Sequence, residues 1–175
     1  MPIDVNIKCV KQKSENINVV DNIFVLESLN TKQNEDVIYT DNWYIYNAII
    51  GKGYHLYLKE DRSTTYKFVD FAETDSVAPY IKYLLQDDKE PSHGTYQVLQ
   101  DIIVFDEKYL NAFEKLLICL LKESKVSTCI VFFRLQTPSP ERYVGRISLK
   151  QFIRLLKDKE ICLNTAYIIS EAEYD

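Results

Sequence analysis

The chain has 175 residues, 46% apolar and 27% charged, with a net charge of −5. A chain of that length carries a core without disulfide or metal staples, and that apolar content excludes a disordered polypeptide. Thirteen tyrosines stand against four glycines, where ordinary usage would give about 12 glycines, so the composition favours a protein that touches another protein over one that wraps its backbone round a nucleotide.

Read in chain order, Ile3 to Val10 alternates Ile3, Val5, Ile7 and Cys9 with Asp4, Asn6 and Lys8, the pattern of a half-buried strand. Ile17 to Leu29 fits helix or strand, and the polar run Lys11 to Asn16 before it favours helix. Val37 to Tyr39 and Trp43 to Ile50 are β-rich and close at Gly51-Lys52-Gly53. Tyr54 to Lys59 and Tyr66 to Phe71 flank the polar turn Glu60 to Thr64 and read as a hairpin. Asp75 or Ser76 caps a helix to about Gln86, with Pro79 in its first turn; Asp87 to Gly94 is a charged loop, and Tyr96 to Phe105 is a strand.

Asp106 is placed to cap the strongest helix, Glu107 to Lys122, where Leu110, Phe113, Leu117 and Leu121 recur at helical spacing. Leu116, Ile118 and Leu120 make that helix apolar on most sides, as expected of one covered from several directions. Thr128 to Leu135 reads as a buried strand ended by Pro138-Ser139-Pro140. Ser148 and Gln151 form a capping-box pattern for a helix to Lys157, and Asn164 to Ser170 is a last strand. The expected fold class is α+β: one domain over residues 1–175, with a mixed, largely antiparallel β-sheet packed with about three to four helices. No apolar run reaches the ~18 residues of a membrane helix. Met1-Pro2-Ile3-Asp4 lacks the pattern of a signal peptide, so the expected compartment is the cytoplasm.

Chemistry needs convergent groups, and none of the phosphate-binding, nucleophile-elbow or zinc-protease motifs occurs. The two histidines, His55 and His93, would be the only acid–base pair, and each reads as an ordinary solvated residue on a strand or in a loop. The carboxylate pairs Glu60-Asp61, Asp87-Asp88 and Asp106-Glu107 fall at turns or helix starts, where acids serve as caps. Cys9, Cys119, Cys129 and Cys162 are scattered and read as buried free thiols. No catalytic, cofactor or metal site is expected.

Charge is unevenly placed. Residues 1–105 carry 10 basic against 16 acidic side chains, whereas residues 106–160 carry 11 against 7 and hold Arg134, Arg142, Arg146 and Arg154. That basic stretch is either a recognition surface, including one for nucleic acid with Tyr143 among the arginines, or a counterweight to the acidic body. In the first two-thirds, alternation sets Trp43 and Ile45 opposite Tyr44 and Tyr46, and Tyr54, Leu56 and Leu58 opposite His55, Tyr57 and Lys59. Tyr44, Tyr46 and Tyr57 beside Glu35, Asp36 and Asp41 would form an acidic, aromatic face suited to the basic cleft of a nuclease. The alternative is that helices cover this face and the tyrosines are half-buried core.

A small, acidic, tyrosine-rich chain without catalytic motifs resembles, in general character, the immunity proteins of bacterial toxin systems, including contact-dependent growth inhibition. The resemblance is one of type and carries no motif residue by residue. It implies a non-enzymatic cytosolic inhibitor that binds and blocks a cognate toxin domain, one that is basic and of nuclease type. From the residues themselves, the expected partner-binding positions are Asp41, Tyr44, Tyr46, Tyr57 and Asp61. The competing readings are a nucleic-acid-associated protein using the arginine stretch and a small enzyme using His55 or His93.

Overall fold

The computed structural model describes residues 3–17, 19, 22–29, 53–61, 67–73, 101–135 and 142–171. In chain order the elements are β1 (Ile3–Cys9), β2 (Phe24–Ser28), β3 (Gly53–Leu58), β4 (Val69–Glu73), β5 (Asp101–Phe105), α1 (Glu107–Glu123), β6 (Thr128–Leu135), β7 (Arg142–Ile147), α2 (Leu149–Lys157) and β8 (Thr165–Ser170). Six strands form one sheet in the order β2-β3-β1-β6-β8-β7, and β4 pairs with β5 in a second, two-stranded sheet. The β7–β8 pair is parallel and the other pairs are antiparallel, so the large sheet is mixed. A parallel neighbour needs a crossover, and α2 supplies it between β7 and β8.

One face of the sheet is built by strict alternation. Val5 lies opposite Phe133, Ile7 opposite Val131, and Val131 opposite Tyr167, while Phe24 and Leu26 lie opposite Leu58 and Leu56. Both helices pack on that face. Phe113 of α1 is the hub: its ring lies 4.8 Å from Phe105, 6.1 Å from Phe24, and 6.4 Å from both Phe133 and Phe152. Phe152 of α2 continues the cluster to Tyr167 at 5.6 Å, and the Tyr167 hydroxyl accepts the Cys162 amide at 2.9 Å, so its polar end is satisfied inside the core. The small sheet joins through Phe68, whose ring meets Phe24 at 5.3 Å and Phe105 at 5.7 Å.

The helix ends follow from local chemistry. The Asp106 side chain accepts the Lys108 amide at 3.0 Å, and Ser148 with Gln151 makes a full capping box, each side chain bonding the other's backbone N–H. At the end of α1, the Ser124 hydroxyl donates to the Val10 carbonyl and accepts the amides of Val126 and Thr128, which ties the helix C-terminus to β1 and to the start of β6.

Several expectations are corrected. The described residues contain two helices rather than three to four, so the α+β description with that helix count does not match. Within Ile17 to Leu29 the regular element is strand β2, because Phe24, Leu26 and Ser28 alternate into register with β3 and the sheet's pairing overrides the weak helical pattern. The hairpin expected across residues 60–64 does not form. β3 pairs with β1 and β2, and β4 pairs with β5, so the two β-rich runs belong to different sheets. The segment around Arg142 to Arg146 is strand β7, with a bulge between Val144 and Ile147 where Arg146 turns left-handed at φ 44°. Helix α1 is less enclosed than its apolar sequence implies, since Ile118 is 37% exposed. The strand at Trp43 to Ile50 and the helix to Gln86 lie outside the described residues.

Candidate functional site

The opposite face of the large sheet carries the polar half of the same alternation. There β1 presents Asp4, Asn6 and Lys8, β3 presents His55 and Tyr57, β2 presents Val25 and Glu27, and β6 presents Ile130, Phe132 and Arg134. Register brings them together: His55 has Asn6 on one side and Glu27 on the other, and Arg134 lies directly across from Asp4. The Asp4 carboxylate stands between two bases, Oδ1 3.8 Å from His55 Nε2 and Oδ2 3.7 Å from Arg134 Nη1. Both separations exceed hydrogen-bond length, so Asp4 and Arg134 meet as charges, and His55 joins them as a charge only when protonated.

Burial sets the chemistry of the cluster. Asn6 is fully buried, and neither polar atom of its side-chain amide has a hydrogen-bond partner among the described residues. The Arg134 residue is only 4% exposed, and the Asp4 carboxylate compensates part of its charge. Burial lowers the His55 pKa below the ordinary histidine value, while the carboxylates of Asp4 and Glu27 pull the other way. A lowered pKa keeps the imidazole neutral at neutral pH, where the Tyr57 ring stacks on it at 4.3 Å and 19°. The result is a flat two-ring platform with a carboxylate on each side.

On this face the Thr128 hydroxyl of β6 donates to Ser170 Oγ of β8 at 3.3 Å. The thiols of Cys9 and Cys129 point to the helix-covered face, where burial raises both pKa values, that of Cys9 to about 11. Among the described residues no group of three or more His, Cys, Asp or Glu side chains is placed to hold a metal ion.

Of the expected partner-binding residues, Tyr57 is half-buried on this platform. Asp61 follows β3 and is joined to Lys67 at 2.9 Å, a contact that raises the lysine pKa through the hydrogen bond. Asp41, Tyr44 and Tyr46 lie outside the described residues, as does His93. Of the arginines, Arg134 is buried beside Asp4, Arg146 and Arg154 are exposed on β7 and α2, and Arg142 contributes its backbone to the pairing with Thr165. His55 was expected to be an ordinary exposed residue, and it is instead held in the cluster with its side chain 13% exposed.

Sequence reasoning missed Asp4, Asn6 and Glu27. Their signal was present in the alternation of β1, which sets Asp4 and Asn6 opposite the apolar residues. Only the pairing of β1 between β3 and β6 brings them to His55 and Arg134. Among the described residues no helix is long and apolar enough to cross a membrane. Comparison of this chain with known families, curated proteins and solved structures found no match.

Proposed function

We propose that the chain is a non-enzymatic inhibitor, an immunity protein of the cytoplasm that binds one toxin domain and blocks it. The supporting observation is the Tyr57–His55 stack with Asp4 and Glu27 beside it, on the sheet face opposite the two described helices. Rings give contact area at low entropic cost, and flanking carboxylates select a partner with complementary positive charge. A nuclease domain has such a basic cleft, because it must hold phosphates. In this reading Tyr57 and Asp61 belong to one contact surface with Asp41, Tyr44 and Tyr46.

The test is protection. The gene is co-expressed with the toxin domain encoded beside it, and growth and nucleic-acid integrity are measured. The proposal expects survival and a stoichiometric complex. Killing that proceeds unchanged, with no complex recovered, removes it.

A further inference from the structure

A second surface has the opposite charge. At the end of the sheet where β1 stops and β6 begins lies a cleft of ≈ 830 Å³. Its described lining includes Lys8, Lys11, Lys13 and Lys125 with a single carboxylate, Glu15, in a chain whose overall charge is −5.

The lysines come from two chain segments locked side by side. Lys11 and Ser127 both turn left-handed, at φ 49° and φ 47°, and so reverse the chain at the two corners. Backbone bonds then join the segments: the Lys125 amide donates to the Lys11 carbonyl at 3.0 Å, and the Lys13 amide to the Glu123 carbonyl at 2.8 Å. The Lys13 ammonium donates to the Lys122 carbonyl at the end of α1 at 2.8 Å, which fixes one charge at the rim. On the floor, the Tyr54 hydroxyl donates to Gln12 Oε1 at 2.9 Å. With four lysines against the carboxylates of Glu15 and of Glu123, which accepts the Ser14 hydroxyl at 3.0 Å, the described rim is net positive and attracts an acidic ligand.

We infer that this cleft is a docking site for a short acidic peptide segment, whose Asp or Glu side chains meet Lys11 and Lys125. The volume falls within the range of about 300–1,000 Å³ typical of ligand sites. A peptide fits better than nucleic acid on two counts. Tyr54, the aromatic side chain in the described lining, is half-buried with its hydroxyl engaged, so it makes a poor base-stacking platform. The acidic body of the chain also repels a long polyanion more than it repels a few carboxylates. Lys11 and Lys125 lie outside the Tyr57–His55 cluster, and the inference does not depend on the function proposed above.

The experiment is a fluorescence-anisotropy titration of the purified full chain with a labelled Glu/Asp-rich decapeptide. A neutral peptide of equal length and a labelled oligothymidylate run alongside. The expected result is saturable binding of the acidic peptide alone, weakening as salt rises from about 50 to about 300 mM. The exposed-site variant Lys11→Glu/Lys125→Glu should lose affinity by about 10-fold or more, since each reversal removes one attraction and adds one repulsion. Lys115→Glu, on the exposed side of α1 away from the cleft, should bind as the parent does, and circular dichroism checks that both variants are folded. No binding at low salt, equal affinity in the folded double variant, or tighter binding of the oligothymidylate would each overturn the inference.

Discussion

Replacing Asp4 by Asn tests the physical basis of the polar cluster. The carboxylate lies 3.7 Å from Arg134 Nη1, and the side chains of Asp4 and Arg134 are 14% and 5% exposed. Two unit charges at that distance attract by about 4 kcal/mol at an effective dielectric of about 20. Removing one partner of a buried pair typically costs about 3–5 kcal/mol, because the other charge stays buried. Asn keeps the volume and one acceptor, so the expected loss sits at the low end, about 3 kcal/mol. For a chain of this size that lowers the Tm by about 6–12 °C, and the urea midpoint by about 1–1.5 M at a slope of 2–3 kcal/mol/M. Thermal and urea unfolding followed by circular dichroism read both quantities. The double variant Asp4→Asn/Arg134→Leu should recover most of the loss, since an apolar side chain leaves no charge to compensate. A single-variant loss below about 0.5 kcal/mol, the level of an exposed pair, would refute the reasoning.

Phe113→Ala empties the hub of the aromatic cluster and should cost about 4 kcal/mol in urea unfolding, a loss felt by the large sheet, the small sheet and α2 together. Ser148→Ala removes the capping box of α2 and should cost about 1 kcal/mol by the same assay, with Ser148→Asp restoring most of it. The His55 pKa lies below the ordinary histidine value, mainly through burial, so the unfolded chain takes up that proton first. Its contribution is therefore fully present above about pH 6.5 and is lost as pH falls through that value. Stability measured across this window should be flatter in His55→Gln than in the parent.

Local signals that depend on neighbours in sequence were legible. Asp106, Ser148 and Gln151 cap where their spacing says they should, and the alternation of β1 and the apolar run of β6 place the right side chains in the core. Pairing was not legible. Residues 54–59 and 66–71 look like two arms of a hairpin, yet β3 pairs with β1 and β2, and β4 pairs with β5. Strand β7 was hidden by its own composition, since Arg142, Gly145 and Arg146 read as loop until the parallel partner β8 is known. For the site, Tyr57 was found from alternation alone. The buried environment of His55 was not, because it comes from Asp4 and Asn6 about fifty residues away in sequence, brought beside β3 by the sheet.

The measurement that reaches the central claim most directly is calorimetric titration of the proposed partner, a toxin domain sought among the products of adjoining genes, with the parent chain and with the triple variant Tyr44→Ala/Tyr46→Ala/Tyr57→Ala. The account predicts tight, salt-sensitive binding by the parent and a loss of at least about 2 kcal/mol in the triple variant, with its circular dichroism spectrum and melting retained. Equal affinity in a folded triple variant would contradict it and show that the acidic, aromatic face is not where the partner docks.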